Sequence, residues 1–189
     1  MTPSGNYNES AYENAVIAVL KNAKWEHTYG PDIGERDYHD PVLNDVFQCQ
    51  LRRLNRDVPD DAITAAFHKV KEIVSGNLVE RNRIFTDYLQ NGVEVSSDGS
   101  DGEENHIVYL ADYKKPQNNT FQVVNQFTLV GKSERVPDVV LFVNGLPLVV
   151  IELKNPSNPE TTVHDAYLQL RNYQHDIPEL EIRIMDSPF

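Results

Sequence analysis

Cysteine is nearly absent from this chain: Cys49 stands alone, which excludes an internal disulfide and fits a reducing interior. A lone thiol cannot build a zinc site, and the six histidines (27, 39, 68, 106, 164 and 175) show no metal-ligand spacing. Because Cys49 falls in the helical pattern VFQCQLRRL, it is expected to be a buried small hydrophobe and not a nucleophile. Long apolar runs are missing too: Leu146–Ile151 is far too short to cross a bilayer. The start, MTPSGNYNES, lacks the basic stretch and apolar core of a signal peptide. A soluble, cytoplasmic protein with no membrane partner is the expectation. Positive charge is scarce, with 17 Lys and Arg against 29 Asp and Glu for a net charge of −12. Affinity for DNA comes mostly from cations that release phosphate counterions, so this balance counts against the chain gripping DNA by itself.

What is present is the composition of a globular protein: 189 residues, 40% hydrophobic and 24% charged. The first half, residues 1–92, reads as mainly helical. Ala11, Ala15, Val16, Val19 and Leu20 recur at helical spacing within 8–24, where Asn8 or Ser10 can cap the first turn. Residues 25–40 look irregular, with a turn at Gly30-Pro31-Asp32. Further helices are expected near 41–55, near 60–75 behind Pro59-Asp60-Asp61, and near 78–90, closed by Asn91-Gly92. From residue 93 to 189 the period changes. Strands are expected at 93–95, 106–113, 121–130, 136–143 and 146–154, with SSDGSDGEE as an exposed loop between the first two. A helix at 163–173 and a short strand at 182–185 complete the reading. The expected fold class is α/β, with a mixed central sheet flanked by helices and an additional N-terminal helical part, all in one domain.

The chemistry concentrates in VPDVVLFVNGLPLVVIELKNP, residues 136–156. Asp138 opens one strand, Asn144-Gly145 makes a two-residue turn, and the returning strand ends in Glu152-Leu153-Lys154. Strand side chains alternate, so Glu152 and Lys154 share a face that Leu153 does not. The turn folds the strands together, and the three side chains are expected to meet at the hairpin tip, cradling a hard cation beside a scissile phosphate. Two adjacent carboxylates repel unless a divalent ion lies between them. Oxygen ligands hold Mg²⁺ while leaving positions for water and phosphate, and an ammonium offsets charge that grows in the transition state. A solvated charge pair on an edge strand is the plain alternative. Charges that directly end a Val-Val-Ile core strand are less expected on that account.

Residues 123–156, VVNQFTLVGKSERVPDVVLFVNGLPLVVIELKNP, strongly resemble the nuclease domain of the type I restriction enzyme R (HsdR) subunit, of the PD-(D/E)xK superfamily. The likeness extends upstream through the Glu13 helix, YGPDI at 29–33, RRLN at 52–55 and NRIFTDYLQNGVEV at 82–95. Downstream, Gln169-Leu170-Arg171-Asn172-Tyr173 is similar to the family's Q-x-x-x-Y helix. The resemblance implies a restriction-endonuclease-like core in which Asp138 and Glu152 bind metal and Lys154 is the catalytic lysine. It also implies a supporting acid on the first helix, best matched by Glu13 with Glu9 as fallback. Gln169 and Tyr173, on one helix face, are implied to touch DNA or brace the site; a surface glutamine and a packing tyrosine are the alternative. The implied cofactor is Mg²⁺, with Mn²⁺ able to substitute, and the implied substrate is double-stranded DNA. The implied partners are the methyltransferase (M) and specificity (S) subunits. The family's ATP-driven motor has no room here, and Gly131-Lys132-Ser133 is no P-loop because position 126 is Gln126. The chain is therefore expected to be either a fragment or a naturally short relative.

Two rival readings remain: a stand-alone repair or recombination nuclease with the same residues, and a non-catalytic assembly module of a restriction complex. The DGSDGEE loop lacks EF-hand spacing and reads as a solvated hairpin tip. RRLNR at 52–56 is the best basic patch, expected to be a solvated helix face that could contact DNA or a neighbouring domain.

Overall fold

The computed structural model describes residues 9–73, 76–99, 102–153 and 163–176. Helix α1 (Glu9–Asn22) is followed by strand β1 (Glu26–Tyr29), then by α2 (Asn44–Leu54), α3 (Asp60–Lys71) and α4 (Leu78–Asn91). Strands β2 (Val93–Gly99) and β3 (Gly102–Val108) form a hairpin of their own, and β5 (Leu129–Val130) and β6 (Glu134–Arg135) another. The central sheet runs β1-β4-β7-β8, with β4 at Phe121–Asn125, β7 at Val139–Val143 and β8 at Leu146–Ile151. Strand β1 is parallel to β4 and the remaining pairs are antiparallel, so the sheet is mixed as expected. Helix α5 (Val163–Asp176) closes the described part of the chain. The strand expected at 182–185 lies outside the described residues.

The helices follow their apolar spacing. In α3, Ala62, Ile63, Ala66 and Val70 turn inward and are buried; in α2, Phe47 and Leu51 do so. Cys49 does not. It is exposed on the outward side of α2, which corrects the expectation of a core thiol, because Phe47, Gln50 and Leu51 occupy the inward positions. A capping box between Asn77 and Glu80 starts α4, and Gly92, at φ 86°, ends it. These helices share one core with Val93, Val95 and Val108 of the β2–β3 hairpin and with Leu146 of β8.

The central sheet has two apolar faces. Val123 and Val139 pack with Ile17 of α1, beside Leu20 and Ile151. Val124, Val140 and Phe142 pack on the other face with Leu43, Phe127 and Leu129, beside Val46 and Val150. Alternation along each strand produces this split.

The sequence reading missed β1, a four-residue strand inside the stretch expected to be irregular. It also drew SSDGSDGEE as a loop, whereas β2 and β3 pair as far as Gly99 and Gly102. Ladder hydrogen bonds need backbone and not apolar side chains, and buried Val93, Val95 and Ser97 anchor the inner face of β2. The expected strand to residue 113 stops at Val108, where Asn55 takes over as pairing partner. Its Oδ1 accepts from Tyr109 N–H at 2.8 Å, and its Nδ2 donates to Tyr109 O at 2.9 Å. Likewise the strand expected over 121–130 breaks at Gln126, whose φ is 54°.

The Asn144-Gly145 turn forms with φ of 54° and 82°, as a two-residue hairpin turn requires. It is not solvated. Asn144 is 1% exposed, and its Nδ2 donates to Leu110 O and Asn119 Oδ1, both at 2.9 Å. A Cβ on Gly145 would lie 2.7 Å from both Leu43 O and Phe47 N, so only glycine fits against the start of α2.

Candidate active site

The β7–β8 register decides where the acidic residues fall. An irregularity between Leu141 and Phe142 shifts the ladder by one residue, so its last pair is Val139 with Ile151, and Asp138 and Glu152 directly flank that pair. Asp138 Oδ2 accepts the Leu153 N–H at 2.7 Å, tying the aspartate to the end of β8. The pair thus stands at the open end of the hairpin, and not at its tip, because the tip is the buried Asn144-Gly145 turn. Both residues are half-buried. Asp138 immediately precedes β7 and Glu152 immediately follows β8.

Glu13 reaches the same sheet end from α1. Its Oε1 accepts from Asn125 Nδ2 at 2.6 Å and its Oε2 from Gln126 Nε2 at 3.1 Å. The Gln126 backbone N–H donates to Asp138 O at 3.2 Å, one ladder step past the Asn125–Val139 pair. Behind Asn125, its Oδ1 meets His27 Nε2 at 2.8 Å. Gly30 closes the group from β1's side, since a Cβ there would lie 2.3 Å from Gln126 O. Asn125, Gln126 and His27 escaped the sequence reading because no motif marks them; VVNQ within the resembling block was the only available signal.

The other expected site residues fall as follows. Lys154 lies outside the described residues, as does the side chain of Glu9. Gln169 is half-buried on α5, and Tyr173 is one helical turn further on, its side chain outside the described part. The end of α5 is anchored to the β5–β6 hairpin, which leads into Asp138. Asp176 Oδ2 accepts from Ser133 Oγ at 2.7 Å and from Arg135 Nε at 2.9 Å, and Arg135 Nη2 adds a short contact. The Lys132 N–H donates to Asp176 O at 3.0 Å. Arg52 and Arg53 of the basic patch are exposed in the last turn of α2.

Among the described residues, no three His, Cys, Asp or Glu side chains stand together as a metal-binding group. Asp138 and Glu152 are the acidic side chains that flank the last β7–β8 pair.

A cavity of about 380 Å³ lies elsewhere, between residues 33–46 and Gln122 and Val124 of β4, and none of the candidate acids line it. Beside it, the Arg36 guanidinium lies 4.0 Å from the Phe127 ring centre and 4.5 Å from that of Tyr38, and donates to Thr128 O. Burial pushes the Arg36 pKa below the usual arginine value, against the pull of Tyr38, Asp37 and Asp40. Asp40 carries an ion pair with Lys71 that ties the end of α3 to the loop before α2. Burial opposes the Asp40 charge, but hydrogen bonds from Lys71, Asn44 and the Val42 N–H outweigh it and hold the carboxyl below the usual range.

With this geometry in place, comparison with known proteins gives a family. Residues 6–182 match the family model for the type I restriction enzyme R protein N terminus (HSDR_N). This chain belongs to that family. The HindI type I restriction enzyme endonuclease subunit of Haemophilus influenzae is 32% identical over 182 residues, covering 92% of this chain and 17% of that protein. The Methanocaldococcus jannaschii MjaIXP endonuclease subunit, a type I enzyme named as putative, is 30% identical over 177 residues, covering 89% of this chain and 17% of its own length. The MjaVIIIP subunit of the same organism, named likewise, is 33% identical over 171 residues, with 88% and 16% covered. The chain therefore spans about one sixth of the length of these R-protein relatives. No helix among the described residues is long and apolar enough to cross a membrane.

Proposed function

We propose that this R-protein N-terminal region is the metal-dependent cleavage module of a type I restriction enzyme and hydrolyses DNA phosphodiester bonds. The observation that carries the reading is the Val139–Ile151 end pair, flanked by Asp138 and Glu152, with Asp138 fixed by the Leu153 N–H. Asp138 and Glu152 are the residues that would hold a divalent cation. When bound, such an ion lowers the pKa of coordinated water and offsets charge on the phosphate oxygens. The hydrogen bond at Asp138 removes the rotamer search that would otherwise accompany assembly of the site. Lys154 is assigned to stabilising the charge that develops on the phosphate or to orienting the attacking water. Gln169 and Tyr173 are assigned to DNA contact or support of the site.

Net charge shapes the partner reading. At −12 the chain repels a polyanion, so delivery of double-stranded DNA falls to other parts of the enzyme. Those are an ATP-driven motor in the rest of the R subunit and the M and S subunits that supply recognition, with the assembly working in the cytoplasm. The test uses a full-length R subunit assembled with M and S. Asp138→Ala and Glu152→Ala should each abolish DNA cleavage while DNA-stimulated ATP hydrolysis continues. Cleavage at wild-type rates by Glu152→Ala would leave only an assembly role. Robust Mg²⁺-dependent cutting by the isolated chain, without ATP or partners, would favour a stand-alone nuclease.

A further inference from the structure

We propose that Asn125 and Gln126 are positioning residues that use Glu13 as a brace for the strand end carrying Asp138, so that Glu13 acts by accepting hydrogen bonds and not by ligating metal. The inference rests on the nuclease reading above and adds to it the role of one acid and two amides.

Both oxygens of Glu13 are engaged by amides of consecutive residues, Asn125 at 2.6 Å and Gln126 at 3.1 Å. A carboxylate accepts and cannot donate, so Asn125 must turn Nδ2 toward Glu13 and Oδ1 toward His27. His27 Nε2, at 2.8 Å, must then carry the proton it donates. Each member thereby fixes the next, and Asn125 is only 8% exposed, so its amide has little freedom to reorient. The chain of bonds ends on the Asp138 backbone, through the Gln126 N–H at 3.2 Å. Gln126 makes both contacts from a left-handed backbone, φ 54°, a conformation that needs holding. Asn125 pairs with Val139, which packs on the α1 face of the sheet beside Ile17. With both Glu13 oxygens held by amides and no three-acid group among the described residues, the geometry argues against Glu13 as a third ligand.

The experiment swaps donor and acceptor in the assembled restriction complex. Asn125→Asp alone sets two carboxylates against each other and should slow cleavage about 10- to 100-fold, the usual range for residues that support a metal site. Glu13→Gln alone keeps an acceptor for Asn125, gives up the one facing Gln126 and should lose less. The double variant, Glu13→Gln with Asn125→Asp, restores a donor facing an acceptor without restoring the charge at position 13. It should recover cleavage to near the wild-type rate, with the Mg²⁺ concentration for half-maximal cutting unchanged. A double variant as slow as Asn125→Asp, or a raised Mg²⁺ requirement in Glu13→Gln, would overturn the brace and make the Glu13 charge the active element. Asn125→Asp cutting at the wild-type rate would overturn it equally. Asp138→Ala in the same assay separates the two readings: if it still cuts, the nuclease assignment fails whatever the swap shows. Should Asn125→Asp not fold, His27 reads the same chain. His27→Ala should slow cutting, and His27→Gln, which keeps a donor, should recover most of the rate; equal loss in both refutes the brace.

Discussion

Removing the Asp176 carboxylate should loosen α5 more than it loosens the sheet. Its side chain is 12% exposed and that of its partner Arg135 is 32% exposed, so the pair lies between a buried and a surface ion pair. Breaking a fully buried pair costs ~3–5 kcal/mol, whereas a surface pair contributes ~0–1 kcal/mol. Arginine's contact with water discounts the buried figure, and the Ser133 hydroxyl bond is lost as well, which gives about 2 kcal/mol for Asp176→Ala. For a chain of this length that corresponds to a fall in Tm of ~4–8 °C. Asp176→Asn, which retains an acceptor, should lose less. Calorimetry gives the total, and hydrogen exchange gives its location. Amides of α5 should exchange faster, while those of Val140 and Phe142, 0% exposed in the sheet, should change least. A loss below ~0.5 kcal/mol with α5 protection unchanged would refute the clamp, because that is the behaviour of a solvated surface pair. Cleavage by the assembled enzyme should fall alongside if Gln169 and Tyr173 serve the site.

Asp40 titrates from a depressed folded-state pKa, so its contribution to stability is present above the unfolded value near 3.8 and is lost as pH falls through the folded value. The Tm gap between wild type and Asp40→Asn should therefore be full at neutral pH and close below about pH 4; a gap that persists in acid contradicts the assignment. Gly145→Ala adds a Cβ 2.7 Å from backbone atoms at φ 82° and should cost about 2–4 kcal/mol in urea unfolding. Gly34→Ala, with nothing within 4 Å, is the matched control and should stay within ~0.5 kcal/mol.

The helices were legible because their apolar spacing is local: Ala62, Ile63, Ala66 and Val70 specify a buried stripe within three turns of chain. Strand β1 was not. Glu26, His27 and Tyr29 are exposed and only Thr28 is half-buried, so no alternation marks EHTY as a strand. Its conformation comes from parallel pairing with β4 nearly a hundred residues later, an interaction that local pattern cannot report. The same distance effect hid the ends of elements, since Asn55 terminates β3 from 54 positions away.

The two halves of the candidate site differ on the same principle. Asp138 and Glu152 were only partly legible. The Asn-Gly turn marks a hairpin, but its own register, Val143 with Leu146, would carry Asp138 to Ile151. An irregularity between Leu141 and Phe142 shifts the ladder by one residue, so that Val139 meets Ile151. The brace was hidden because Glu13 and Asn125 stand 112 residues apart and His27 and Asn125 stand 98 apart, with no turn linking them. A family motif can point to Glu13, but it cannot say what the carboxylate does. That depends on whether its oxygens face a cation or two amides, and in this fold they face the amides of Asn125 and Gln126.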